Sequence, residues 1–146
     1  MPAKPLPACF VDTNIWLYAF IEADDAAKSA AARQLLQESQ PVGSTQVVNE
    51  VCVNLLKRRV FTEEQVRALI ASFYEKYEVV ELTPPVLLEA SALRECYSLS
   101  FWDSLIVACS QSAGVRVLYS EDMQHGLLID GKIRWQAPNS QPVLDE

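Results

Sequence analysis

Short apolar runs alternate with longer helical stripes along this chain, and few folds satisfy that alternation. Ala8-Cys9-Phe10-Val11, Val115-Arg116-Val117-Leu118-Tyr119 and the alternating Tyr77–Leu82 segment read as strands. Pro41-Val42-Gly43-Ser44 reads as a further short strand and turn. Between them lie amphipathic stretches. Ile15–Ile21 is a short apolar helix, and the alanine-rich segment from Ala26 to Leu36 favours helix by propensity. Asp24 and Asp25 cap that second helix. From Thr45, apolar side chains recur at Val47, Val48, Val51, Cys52, Leu55 and Leu56, a helical stripe that ends in Lys57-Arg58-Arg59. Thr62-x-x-Gln65 has the form of a capping box. Pro84-Pro85 opens a helix to about Tyr97, and Phe101–Ser112 forms another that Gly114 stops. Leu127–Ile129 and Ile133–Trp135 flank Asp130-Gly131, a two-residue hairpin signal. Strands alternating with helices predict an α/β fold, a three-layer α/β/α sandwich with a mainly parallel sheet of about five strands.

Length bounds the rest. At 146 residues the chain is expected to be a single domain, 1–146, with its core at about 8–135 and a loose tail over 136–146. It carries no run of about eighteen uncharged apolar residues, and its N-terminus lacks a signal peptide's apolar core. No membrane association and a cytoplasmic location are therefore expected. The four cysteines are widely spaced and form no C-x-x-C pair, so neither a disulfide framework nor a zinc site is expected.

In parallel sheets ligands bind beyond the carboxyl ends of the strands. Asp12 follows the first strand in Val11-Asp12-Thr13-Asn14. Asp122 follows the later strand in Ser120-Glu121-Asp122. Asp103 lies in the first turn of a helix whose N-terminus faces that edge, and Glu50 lies just outside the apolar band of its helix. Each has an ordinary explanation: Asp12 as a helix cap, Asp103 within the capping pattern Ser100-x-x-Asp103, Glu50 as a solvated glutamate and Asp122 as a loop acid. Gathered at one edge they need another. Two carboxylates about 4 Å apart repel by roughly 4 kcal/mol at an effective dielectric near 20, so a cluster takes up protons or a cation. An all-oxygen donor set favours Mg²⁺ or Mn²⁺, and the usual work of such a site is hydrolysis of a phosphodiester.

Other chemistries fail on residue counts. His125 is the sole histidine, in a polar stretch typical of a surface loop, so neither a histidine pair nor a Ser-His-Asp relay can form. With four glycines in all, no phosphate-cradling motif is present. A haloacid-dehalogenase-like phosphatase places an Asp two residues after its nucleophile, where this chain has Asn14, and a lysine before its last acids, where Tyr119-Ser120 stands. The net charge of −7 opposes nucleic-acid binding by bulk charge. A bound cation reverses that field locally.

With these residues assembled, the chain resembles the PIN-domain ribonucleases, in particular the VapC-type toxins of bacterial toxin–antitoxin pairs. The carriers are Val11-Asp12-Thr13-Asn14, Glu50 in the third helix, Trp102-Asp103-Ser104-Leu105-Ile106, and Leu118-Tyr119-Ser120-Glu121-Asp122. Their order and spacing are more specific than any one motif. The resemblance implies Mg²⁺- or Mn²⁺-dependent endoribonuclease activity, a homodimer, and a cognate antitoxin. It also implies that Asp12, Glu50 and Asp103 form an acidic triad with Asp122 as the fourth acid, Glu121 being the alternative. Thr13, Asn14 and Ser120 would orient the acids. A PIN-like binding module without turnover is the non-enzymatic alternative. Lys57, Arg58 and Arg59 are the best local patch for RNA, although basic residues also suit a helix C-terminus. Trp16, Tyr18 and Phe20 cannot all face one core from one helix, so at least one is expected to anchor a dimer or antitoxin, core burial being the simpler reading for Trp16.

Overall fold

The computed structural model describes residues 6–21 and 25–120, together with the backbone of two further strands, 128–129 and 133–136. Six strands form one sheet in the order β3-β2-β1-β4-β6-β5. They are β1 (Ala8–Val11), β2 (Gln40–Ser44), β3 (Glu78–Val80), β4 (Val117–Tyr119), β5 (Leu128–Ile129) and β6 (Ile133–Gln136). The first four and β6 run parallel, and only β5 is antiparallel, to β6. The expected five-stranded parallel sheet is thus present with one short antiparallel strand at its edge.

The helices are α1 (Thr13–Phe20), α2 (Ala26–Gln37), α3 (Thr45–Lys57), α4 (Glu63–Lys76), α5 (Pro84–Cys96) and α6 (Phe101–Ser112). Their boundaries follow local chemistry. The side chains of Asp25 and Ser44 cap α2 and α3 by accepting from the backbone N–H of Lys28 and Val47. Thr62 and Gln65 form the full reciprocal capping box on α4. Pro84 and Pro85 occupy the first turn of α5, where no N–H is required. Gly114, at φ 72°, ends α6 in a left-handed turn. At the end of α3 Arg59 takes that role with φ 56°. Val60 N–H donates to the Leu55 carbonyl and Arg59 N–H to that of Leu56, the two bonds of a Schellman motif.

The core lies on both faces of the sheet's central strands. Phe10, Val11 and Leu118 are fully enclosed, with Ile15, Trp16, Val47, Leu55 and Val107 from the surrounding helices. Trp16 is the pivot of one side. Its ring packs against Phe73 and Tyr77 at centroid distances of 4.5 and 4.9 Å, and its indole N–H donates to the Val11 carbonyl at 2.9 Å. Gly43 on β2 lets Phe73 approach: a Cβ there would lie 3.1 Å from that ring. Tyr18 and Phe20 remain half-buried, which fits the expectation that one helix cannot bury all three aromatics.

Two expectations are corrected. The strand expected over Tyr77–Leu82 is only Glu78–Val80. Asp130 and Gly131, expected as a two-residue hairpin turn, lie outside the described residues, and β5 and β6 on either side of them pair antiparallel. Gln136, assigned to the tail, pairs with Tyr119 as the last residue of β6. The remainder of the tail, 137–146, and Asp24 lie outside the described residues. Among the described residues, no helix is long and apolar enough to cross a membrane.

Candidate active site

Sheet register brings the first acid to its partner. Val11 on β1 lies opposite Tyr119 on β4, and the ladder continues one residue further, with Asp12 N–H donating to the Tyr119 carbonyl at 3.0 Å. Asp12 and Ser120 therefore stand side by side at the carboxyl edge of the two central strands. The Ser120 hydroxyl donates to Asp12 Oδ2 at 2.9 Å, and Thr13 N–H donates to Asp12 Oδ1 at 2.7 Å. Asp12 does cap α1, but the buried bond to Ser120 is no part of capping.

Glu50 arrives from the neighbouring strand. β2 ends at Ser44, which caps α3, and Glu50 lies in the second turn of that helix. Its carboxylate is held from two sides: Thr13 Oγ1 donates to Oε2 at 2.7 Å and Gln46 Nε2 to Oε1 at 3.0 Å. Asn54 Nδ2 donates to the Glu50 carbonyl at 2.8 Å. Asp103 sits in the first turn of α6, where its N–H donates to the capping hydroxyl of Ser100.

Electrostatics ties these acids together. Burial pushes the Asp12 carboxyl from its ordinary range up to about 6, against the hydrogen bonds from Thr13 and Ser120, and the charges of Glu50 and Asp103 push it further the same way. Two carboxylates, from α3 and α6, thus act on the enclosed Asp12. Glu121 and Asp122, the two candidates for a fourth acid, lie outside the described residues, as does His125.

The donor chemistry fits a hard divalent cation. The groups are carboxylate oxygens, and each Asp12 oxygen accepts one hydrogen bond, which leaves a further lone pair on each. Gln46 is 7% exposed, and its Oε1 has no partner, an acceptor beside Glu50 suited to a water or hydroxyl. Among the described residues no group of three or more His, Cys, Asp or Glu side chains that could hold a metal ion is found. Mg²⁺ and Mn²⁺ bind hard oxygen ligands of the carboxylate type, take few protein ligands and keep several waters.

The other sequence-derived candidates are distributed unevenly. Thr13 and Ser120 contact the acids directly, whereas Asn14 lines a small cleft with Leu17, Tyr18, Ile21, Asp25 and Arg58. Arg58 thus lies against α1, and Lys57 and Arg59 are exposed beside it. The groups held against Asp12 and Glu50 include Thr13, Ser120 and Gln46. Gln46 was not anticipated. A glutamine four residues before a helical acid shares its face, and that spacing was the available signal. A larger cavity, about 360 Å³, is lined by Ala8, Gln40, Lys76 and Glu78 at the opposite edge of the sheet, away from the acids.

A model of the PIN domain matches residues 9–125. The chain belongs to the PIN domain family. Solved structures agree on the fold. A toxin–antitoxin complex from Klebsiella pneumoniae superposes with a TM-score of 0.68 at 21% identity, covering 91% of this chain and 99% of that one. The sarcin-ricin loop cleaving toxin VapC20 of Mycobacterium tuberculosis gives 0.59 at 22% identity, covering 75% and 86%. The DNA-bound VapBC of Salmonella typhimurium gives 0.63 at 16% identity, covering 91% and 99%. No curated protein matches.

Proposed function

We propose that this PIN domain is a metal-dependent endoribonuclease and the toxin of a toxin–antitoxin pair. The observation that carries the reading is the enclosed Asp12 carboxyl, whose proton affinity is raised by burial and by Glu50 and Asp103. A site that strains to hold negative charge is made for a cation. Asp12, Glu50 and Asp103 would hold Mg²⁺ or Mn²⁺, with Asp122 as the fourth acid and Glu121 as its alternative. Bound there, the ion would supply a water of lowered pKa and neutralise charge on a phosphodiester. The chain's own contribution is orientation. Ser120 and Thr13 N–H fix the Asp12 carboxylate, and Thr13 Oγ1 and Gln46 fix that of Glu50, so the acids are set before ligand arrives. Asn14, Lys57, Arg58 and Arg59 stay in this reading as supporting groups, the three basic residues toward RNA.

The similar folds support the biological role. One is described as a toxin that cleaves the sarcin-ricin loop, and others are toxin–antitoxin complexes, some bound to DNA. A cytoplasmic homodimer restrained by a cognate antitoxin, built on one domain spanning 1–146, completes the proposal. Incubating the protein with structured RNA in Mg²⁺ or Mn²⁺, with and without EDTA, tests it. Cleavage that EDTA stops and Asp12→Asn abolishes is the expected result. Cleavage indifferent to both overturns it. Hydrolysis of p-nitrophenyl phosphate without RNA cleavage would indicate a phosphatase instead, and RNA binding without turnover a binding module.

A further inference from the structure

In the turn of α6 that carries Asp103 the chain exposes two large aromatic rings. Phe101 and Trp102, in the first turn of α6, are 55% and 59% exposed. Their rings meet edge to face, with centroids 5.3 Å apart and planes at 79°. Trp102 immediately precedes Asp103, the acid whose charge reaches Asp12. A cation completes the group. The Arg94 guanidinium lies 4.3 Å from the Phe101 ring centroid and donates to Ser104 Oγ at 2.7 Å. Ser104 Oγ in turn donates to the Phe101 carbonyl at 2.6 Å. Arg94 is therefore fixed beside the rings by a hydrogen bond and a stacking contact, in a chain whose net charge is −7.

Packing gives the rings no role, since the core closes without them. Their place in the turn that carries Asp103, beside the fixed cation of Arg94, supplies one. We propose that Phe101, Trp102 and Arg94 form a platform on which an unpaired base of single-stranded RNA stacks, with the neighbouring backbone phosphate facing Arg94. The proposal rests on the nuclease reading and names how that site holds its substrate. Every base presents a π-face, so the platform selects strandedness rather than sequence. The guanidinium supplies the positive charge that an acidic protein otherwise lacks for a polyanion. A base paired within a duplex has no free face, and the platform therefore discriminates against double strands.

The test uses the full chain carrying Asp12→Asn, so that RNA stays uncut, and an unstructured fluorescent oligoribonucleotide. Adding Trp102→Ala should weaken binding roughly 5- to 150-fold, the usual loss for one stacked base. Trp102→Phe should recover most of it, and neither the melting temperature nor the solution mass should change. In the background that retains Asp12, Trp102→Ala should raise KM more than it lowers kcat. Binding by Trp102→Ala within twofold of its parent overturns the platform. So does a loss of binding that accompanies a change in solution mass, because the rings would then be a protein interface. If binding depends on Trp102 and the Asp12-retaining chain cuts no RNA, the nuclease reading fails and the platform stands. Cleavage with a KM indifferent to Trp102→Ala does the reverse: the platform fails and the nuclease reading stands.

Discussion

Asp12→Asn keeps the shape of a side chain and removes its charge. Asparagine can still accept from Thr13 N–H through Oδ1, and its amide can donate to the Ser120 hydroxyl, so both contacts of the carboxylate survive in kind. What disappears is the cost of holding a charge in an enclosed site beside Glu50 and Asp103. The Asp12 carboxyl titrates at about 6 rather than its usual 3.8, and about two units at 1.36 kcal/mol each give a cost of about 3 kcal/mol once it is ionised. The sign follows from proton binding. Between about pH 4 and pH 6 the native state holds a proton that the unfolded chain has released, so this group's contribution falls as pH rises through that window and is flat above it. Asparagine has no such window. The stability of Asp12→Asn minus that of the parent, measured by urea unfolding in EDTA, should therefore be near zero at about pH 4 and reach about 3 kcal/mol by pH 7. At pH 7 the melting temperatures should differ by roughly 6 to 12 °C. Added Mg²⁺ should stabilise the parent far more than the variant and narrow the gap. A difference that stays flat with pH, or an asparagine variant less stable than the parent at pH 8, would refute the claim that burial strains this carboxyl.

Ser120→Ala removes a donor to Asp12 without touching the backbone, so the lower arm of the pH–activity profile should move to higher pH while the fold survives; an unmoved arm counts against the contact. Gly43→Ala places a methyl 3.1 Å from the Phe73 ring, inside the Trp16–Tyr77 cluster. It should destabilise by about 1 to 3 kcal/mol in urea unfolding, and a neutral result would mean that the ring yields freely. Arg59→Gly relieves a side chain at φ 56° in the cap of α3. It should stabilise by about 1 kcal/mol, which thermal unfolding will register.

Much of the fold was legible because its signals are local. The Thr62–Gln65 capping box, the Pro84-Pro85 helix start and the Gly114 stop each depend on residues within a turn of one another. Asp12 and Asp103 were placed by the rule that helices leave and strands end at one edge of a parallel sheet, and the structure sets their charges acting on each other. Strand order was not legible, because pairing joins Phe10 to Val42 and to Leu118 across long separations, and apolar strands carry little information about which neighbour they take. Gln46 escaped notice for a different reason. A glutamine near a helix start is ordinary until the carboxylate it serves, Glu50, is known to be turned inward by Thr13. The cap of α3 was legible in part: Lys57 does set charge in the last turn, but nothing local signalled that Arg59 bends the chain through a conformation glycine would adopt more easily.

The bond from Ser120 to Asp12 spans 108 residues, and it imposes an order of events on a chain made from its N-terminus. Asp12 leaves the ribosome with β1, yet its ladder partner Tyr119 and its hydroxyl donor Ser120 follow only after the six described helices have been made. Domains complete their folding only when the chain they need has emerged. β1 can pair with β2 as soon as Gln40–Ser44 is made, but its other side waits for β4. A nascent chain that has not yet delivered β4 has its first acid but no finished pocket around it, and a truncated product stops short of the same point. Topology alone keeps the acid cluster incomplete until β4 and Ser120 have been made.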